Sequence, residues 1–354
     1  MTLKSRQKRI IVSAALVLVS ILLIMFPKKS AFGAYSGIVN CLEIIVPSLF
    51  PFMVVTIFLT ESGYYKQVFS IPSALLSKIT GVDKNLCSLF FLGLIGGYQS
   101  AAKSVTILCK NNVILPECAS TLLCFCTNAG PAFLISAVGT GMYLSSSVGV
   151  ILFIASIMSS FSLMLFYAPK LNKINDITNC KINKGLVSCF VNSVKEACKT
   201  ITFMSSFIVL FSVAIYILPD FSENFYYLKS LLYGLLEVTS GVRASSAEIS
   251  LTSILATAAI CAFGGFCIIL QIAAICSEAN IKIFPFIFSR IIHTILSVLY
   301  TFLLLLTIPI EIKETFVSNA STAMPSVYSA PLPALMLLIC CITFPIYLTR
   351  QKNF

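Results

Sequence analysis

Long apolar runs alternate with short polar interruptions along the chain. The apolar segments fall at Ile10–Phe26, Ile38–Thr60, Leu86–Cys109, Val113–Leu144, Ser147–Ala168, Leu186–Leu218, Leu251–Ser277, Phe284–Ile308 and Leu332–Leu348. A helix needs about 20 apolar residues to cross a bilayer core. The pattern therefore predicts an all-α polytopic membrane protein of about 8–10 hydrophobic helices, some of them broken or re-entrant.

The polar interruptions divide the chain. Residues 1–34 read as an N-terminal transmembrane anchor, 35–168 as a first membrane half and 169–185 as a basic linker. Residues 186–308 read as a second half, 309–330 as an external loop and 331–354 as a C-terminal transmembrane helix. Ala31-Phe32-Gly33 resembles a signal cleavage site, but the run before it is long for a signal core, which favours an uncleaved helix.

The halves share an order of motifs. Ser70–Val82 (SIPSALLSKITGV) parallels Ser230–Val242 (SLLYGLLEVTSGV), and Gly96-Gly97-Tyr98 parallels Gly264-Gly265-Phe266. In that register Lys103 falls opposite Gln271, and Asn40 and Asn192 each open an apolar run. The expectation is an internal pseudo-symmetric repeat, and broken helices at matching places in two halves point to a midplane binding site.

Composition fixes the solvent. Hydrophobic residues make up 58% of the 354 and charged residues 10%, against about 25% charged in a soluble domain. Mean hydropathy is +0.97. The net charge of +11 is then a matter of topology rather than of nucleic-acid binding, and no arginine–aromatic patch suggests nucleic acid. Lys4, Arg6, Lys8 and Arg9 precede the first apolar run, while Lys28 and Lys29 follow it. Lys170, Lys173, Lys181 and Lys184 crowd the linker, and Arg350 and Lys352 end the chain. The positive-inside rule places both termini and the linker in the cytoplasm. Fourteen cysteines are scattered through apolar runs with no CxxC pair. They read as small buried hydrophobes, and no metal or cofactor is expected.

Candidate chemistry sits in the interruptions. In GGYQSAAKSV, Gly93, Gly97 and Ala101 form one stripe of small residues, and Gly96, Ser100 and Ser104 another. On a straight helix these are close-packing stripes. On a broken helix or hairpin, the backbone and Gln99 become available to a ligand, provided that the break faces protein or water. Lys103, near mid-depth, either snorkels or pairs with a carboxylate or an anionic ligand. Glu43 is a candidate counter-ion or equally an interfacial residue. In TNAGPAF, Thr127 and Asn128 precede Gly130-Pro131, a kink or a solute contact. The second half supplies Glu237 and Thr239, Gly264 and Gly265, Gln271, and Arg290 with His293 three residues on, sharing a helix face. His293 is a candidate proton carrier or a hydrogen-bonded core residue. No nucleophile–base pair or phosphate loop stands out, so no enzyme is expected.

VPSLFPF (Val46–Phe52), GGYQSAAK (Gly96–Lys103), FCTNAGPAF (Phe125–Phe133), EVTSG (Glu237–Gly241), FGGFCIILQ (Phe263–Gln271) and RIIH (Arg290–His293) together resemble the sporulation integral membrane protein family of YlbJ type, within the nucleoside-recognition (Gate) domain group. The likeness covers roughly Ile38–Thr307. The chain departs from it at Gln99, where the family tends to proline, and at Ala101, where it tends to glycine. The resemblance implies a polytopic protein of spore-forming bacteria needed for spore development, with two Gate-like halves. It also implies a likeness to nucleoside transporters. The expected function is a permease for a small, anionic solute, dipicolinate being a candidate, by alternating access. Gly96, Gly97, Gln99, Lys103, Thr127 and Asn128 would face Glu237, Thr239, Gly264, Gly265, Gln271, Arg290 and His293 across the site. A coupling ion or proton and a homo-oligomer are compatible partners. The alternative is a non-transporting scaffold for spore-envelope assembly.

Overall fold

A computed structural model describes residues 13–14, 17–172, 185–219 and 226–308. Most of the 169–185 linker (residues 173–184), the external loop expected at 309–330 and the C-terminal helix expected at 331–354 lie outside the described residues, as does much of the first apolar run.

The described chain is helical and contains no strand. The helices are α1 (Pro27–Ser62), α2 (Tyr65–Val68), α3 (Ser70–Thr80), α4 (Lys84–Lys110), α5 (Pro116–Cys126), α6 (Ala132–Met142) and α7 (Ser146–Leu171). After the linker come α8 (Leu186–Ile217), α9 (Tyr226–Leu236), α10 (Val238–Ser245), α11 (Leu251–Phe263), α12 (Gly265–Ser277) and α13 (Phe284–Thr307). Among the described residues, five helical stretches are long and apolar enough to cross a membrane: α1, α7, α8, α11 with α12, and α13. The protein is an all-α, multi-pass integral membrane protein.

α1 starts at Pro27, whose fixed φ suits a first helical position. A single non-helical residue, Phe26, separates it from the helical residues 17–25. Its turn Cys41–Ile45 widens to π geometry just before Pro47 and Pro51, which cannot donate to the helix ladder. The Ser48 hydroxyl takes up the Ile44 carbonyl instead. Gly33 and Gly37 bring α1 against α8: a Cβ on either would stand 2.9 or 2.8 Å from the Cα of Val213 or Val209. Without a hydrophobic drive between helices in lipid, such close backbone packing is what binds them.

α4 is not a straight helix. Gly97 takes φ 79° and ψ −173°, which an L side chain rarely adopts, and the chain folds back there. A Cβ on Gly93 would stand 3.3 Å from that of Ala101, although eight residues of straight helix span about 12 Å. Asp83 and Cys109, at the outer ends of the arms, both lie within electrostatic reach of Cys118. The stripe Gly93–Gly97–Ala101 is thus the inner face of a re-entrant hairpin. α9 and α10 form a second one. A Cβ on Gly241 would overlap the Gly234 backbone, and Tyr226 closes the open end by donating its hydroxyl to the Ser245 carbonyl at 2.7 Å.

Two broken helices span between the open ends of these hairpins. α11–α12 begins beside the second hairpin, where Ser245 donates to the Ser253 carbonyl. It ends beside the first, where Lys110 pairs with Glu278. α5–α6 runs the other way. Ser120 donates to the Lys282 carbonyl at one end, and Tyr143, just past the other, donates to that of Ser253. The hairpins consequently open on opposite faces. The order long helix, re-entrant hairpin, broken helix, long helix occurs twice: α1, α4, α5–α6, α7 and then α8, α9–α10, α11–α12, α13.

This order corrects the register read from the sequence. Gly97 is a hairpin tip and Gly264 is a break in a spanning helix. By element order Gly97 corresponds to Glu237, and the break at 127–131 corresponds to Gly264. Ser70–Val82 is mostly α3, an extra helix bent 115° from α4, with no counterpart among the described residues of the second half.

Candidate functional site

Both hairpin tips, the α5–α6 break and the first turns of α12 meet at one small cavity of about 40 Å³. Gly97, Tyr98 and Gln99 come from the first tip, and Glu237, Val238 and Thr239 from the second. Gly130 and Phe133 come from the α5–α6 break, and Cys267, Ile268 and Gln271 from α12. Ile45 and Leu49 of α1, with Met204 and Ile208 of α8, close the apolar side.

The polar part of the wall is built by local rules. Glu237 is the N-cap of α10, and its two carboxylate oxygens accept the Thr239 and Ser240 N–H groups, each at 2.7 Å. A carboxylate at a helix N-terminus complements the unpaired N–H groups and the dipole there. Across the cavity Gln99 Nε2 donates to Gln271 Oε1 at 2.7 Å, a direct link between a hairpin arm and a broken helix of the other half. Gln271 Nε2 also lies 3.2 Å from the Cys267 sulfur. Gly264 and Gly265, with φ 86° and 66°, open α11–α12 one turn from this pair. Gly265 leaves room for the Gly234 carbonyl, 2.7 Å from where its Cβ would stand. Gly96 packs on Thr56 and Ser100 behind the first tip.

The remaining candidates hold the breaks in shape. α5 ends at Cys126 with carbonyls that have no partner within the helix. Arg290 supplies one: Nη1 donates to the Thr127 carbonyl at 2.7 Å, and Nη2 to that of Cys124 at 2.8 Å. Its guanidinium, fully buried, lies 5.0 Å from the Phe286 ring centroid. Thr127 donates to the Leu123 carbonyl, and Asn128 Nδ2 to that of Phe125 at 3.0 Å. Ser160 donates to Asn128 Oδ1 at 2.7 Å, and its oxygen is 3.2 Å from His293 Nε2. His293 Nδ1 donates to the Ala262 carbonyl near the end of α11 at 3.3 Å, and Tyr98 donates to the neighbouring Cys261 carbonyl. Arg290, His293, Thr127 and Asn128 therefore form a helix-capping network beside the cavity, outside its wall.

Lys103 lies one turn beyond Gln99 and is ion-paired with Glu196 of α8 at 2.8 Å and with Glu278 at 3.3 Å. Glu43, the counter-ion expected from the sequence, is exposed on the π turn of α1. The sequence reading missed Glu196 and Glu278 because both sit close to exposed lysines, Lys195 and Lys199 beside the first and Lys282 after the second, where they resemble ordinary solvated charges. It also missed Tyr98, which reads as one more aromatic in an apolar run.

The chain is similar to the sporulation integral membrane protein YlbJ of Bacillus subtilis (strain 168), 23% identical over 340 residues that cover 85% of this chain and 83% of that one. This bears out the resemblance to proteins of YlbJ type. No family model matches the chain, the Gate group included, and no solved structure matches it.

Proposed function

We propose that the chain is a carrier, without enzymatic activity, that moves a small polar solute by alternating access in a membrane of a sporulating cell. One observation carries this reading: two hairpins entering from opposite faces bring their tips, with residues beside two helix breaks, to a single small cavity whose mostly apolar wall carries Gln99, Glu237, Thr239 and Gln271. Interrupted backbone at membrane depth survives only where protein or water satisfies it. Four interruptions around one point would be a costly way to build a passive scaffold. They suit a site where N–H groups, carbonyls and carboxamides must be free to exchange partners.

The cavity is far smaller than the roughly 300 Å³ of ordinary ligand pockets, so this conformation is occluded and a tip must withdraw to admit a solute. Opposite-facing hairpins supply one movable tip per face. The wall offers two carboxamides, the Thr239 hydroxyl and the Glu237 carboxylate, a set that favours a neutral, donor-rich solute. Lys103 and Arg290, the groups that suggested an anion, are both held by internal partners. The similarity to the Bacillus relative supports the sporulation setting.

The test is uptake into liposomes holding the purified protein, with and without proton or sodium gradients. Its arms are nucleosides as neutral solutes and dipicolinate as an anion. Accumulation in one arm is expected. It should fall about tenfold in the double variant Gln99→Leu with Gln271→Leu, the worth of one lost solute hydrogen bond. A well-folded protein that moves no solute in any arm leaves the scaffold reading in its place.

A further inference from the structure

The arm of α4 after Gly97 carries polar residues well beyond the cavity. Gln99, Lys103 and Lys110 are spaced four and seven apart, so they share one helix face. Each meets a partner on α12, the turn after it, or α8. Gln99 bonds to Gln271, Lys103 pairs with Glu196 and Glu278, and Lys110 pairs with Glu278. These contacts form a ladder from the central cavity to one face. At that face lies a second cavity of about 510 Å³, whose wall includes Lys110, Asn112, Glu278 and Asn280. Gln99 and Gln271 are shared with the inner cavity, and Lys110 and Glu278 with the outer one.

Exposure rises outward along the ladder. Lys103 is 7% exposed and Glu196 19%, whereas Glu278, Lys110 and Lys199 are 39%, 45% and 75% exposed. Resting on the carrier reading above, we infer that this seam is the solute path to one membrane face, that the 510 Å³ cavity is its vestibule, and that Lys103 with Glu196 and Glu278 is its gate. The chemistry suits opening. Breaking a buried ion pair is expensive when it strands a charge. Here each carboxylate keeps a second lysine when Lys103 lets go: Glu196 keeps Lys199 at 3.0 Å, and Glu278 keeps Lys110. Lys103 would then face a path filled with water rather than hydrocarbon.

Cys267 lines the inner cavity and is 1% exposed, so its thiol reports whether that cavity is connected to water. In liposomes, a membrane-impermeant maleimide should label Cys267 slowly in the wild type and at least tenfold faster in Glu196→Gln with Glu278→Gln, read by peptide mapping so that the other cysteines can stay. Should the double variant fold poorly, Lys103→Ala gives a second route: it removes the same two ion pairs from the other side and should speed Cys267 labelling likewise. Unchanged labelling in the folded double variant, or in folded Lys103→Ala, overturns the gate. Faster labelling without solute movement keeps the gate and removes the carrier reading. Solute movement with unchanged labelling does the reverse.

Discussion

Arg290 shows how far a single residue could be read. Its spacing from His293 predicted a shared helix face, and both side chains are buried together on α13. Its charge suggested an anion, and here the sequence could not decide, because the partner carbonyls belong to a helix end that no local pattern marks. The end of α5 carries partial negative charge from Cys124 to Thr127, which a buried guanidinium complements without a carboxylate. The planar fork matters because two carbonyls at 2.7 and 2.8 Å are taken at once. Arg290→Met should therefore leave both unsatisfied, at about 1–3 kcal/mol each, whereas Arg290→Lys should keep one. Thermal melting in detergent should rank wild type above Lys above Met. Equal melting of all three would show that the carbonyls find other partners.

Among elements, the long helices were legible, the first hairpin stood as one of two readings, and the second was not legible. α7, α8 and α13 follow apolar runs that need nothing else to be recognised. The segment from Tyr226 to Ser245 escaped the apolar pattern because Lys229, Glu237 and Arg243 interrupt it. Those charges are tolerated by local means: Glu237 caps α10, and Arg243 donates to Asn40 at 2.7 Å. Glycine spacing held the clue, since Gly234 and Gly241 flank the tip and let the arms touch backbone to backbone. The site residues Gln99, Glu237, Thr239 and Gln271 were legible as polar groups in breaks, but which of them would meet depended on the fold-back. Gly241→Ala should consequently disrupt the hairpin, because its Cβ would overlap the Gly234 backbone, which cannot rotate aside. Gly63→Ala, where a Cβ meets nothing within 4 Å, should cost only the roughly 1 kcal/mol of a left-handed alanine. Folded yield and melting temperature should separate the two widely, and similar values for both would argue against a tightly closed hairpin.

For the whole molecule, the decisive property is that the hairpins open on opposite faces, and the distribution of charge says which face is which. Lys66, Lys78, Lys84, Lys110, Lys170 and Lys282 gather where the first hairpin opens, and both described ends of the basic linker join that face. Asn172 sits there, its side-chain nitrogen 3.2 Å from where a Cβ of Gly81 would stand, and α8 begins there, with Asn192 donating to Glu61 at 2.7 Å. The opposite face carries Lys28, Lys29, Lys229 and Arg243. By the positive-inside rule, the first hairpin should open to the cytoplasm and the second away from it. Exposed reporters can read this directly: Glu117→Cys at the start of α5 and Ala247→Cys just past α10. In intact cells an impermeant thiol reagent should reach Ala247→Cys, and should reach Glu117→Cys only after the membrane is opened. Labelling of both from one side would place the hairpins in parallel. That would remove the two-sided access on which alternating opening depends, because a carrier needs one movable tip for each face of the membrane.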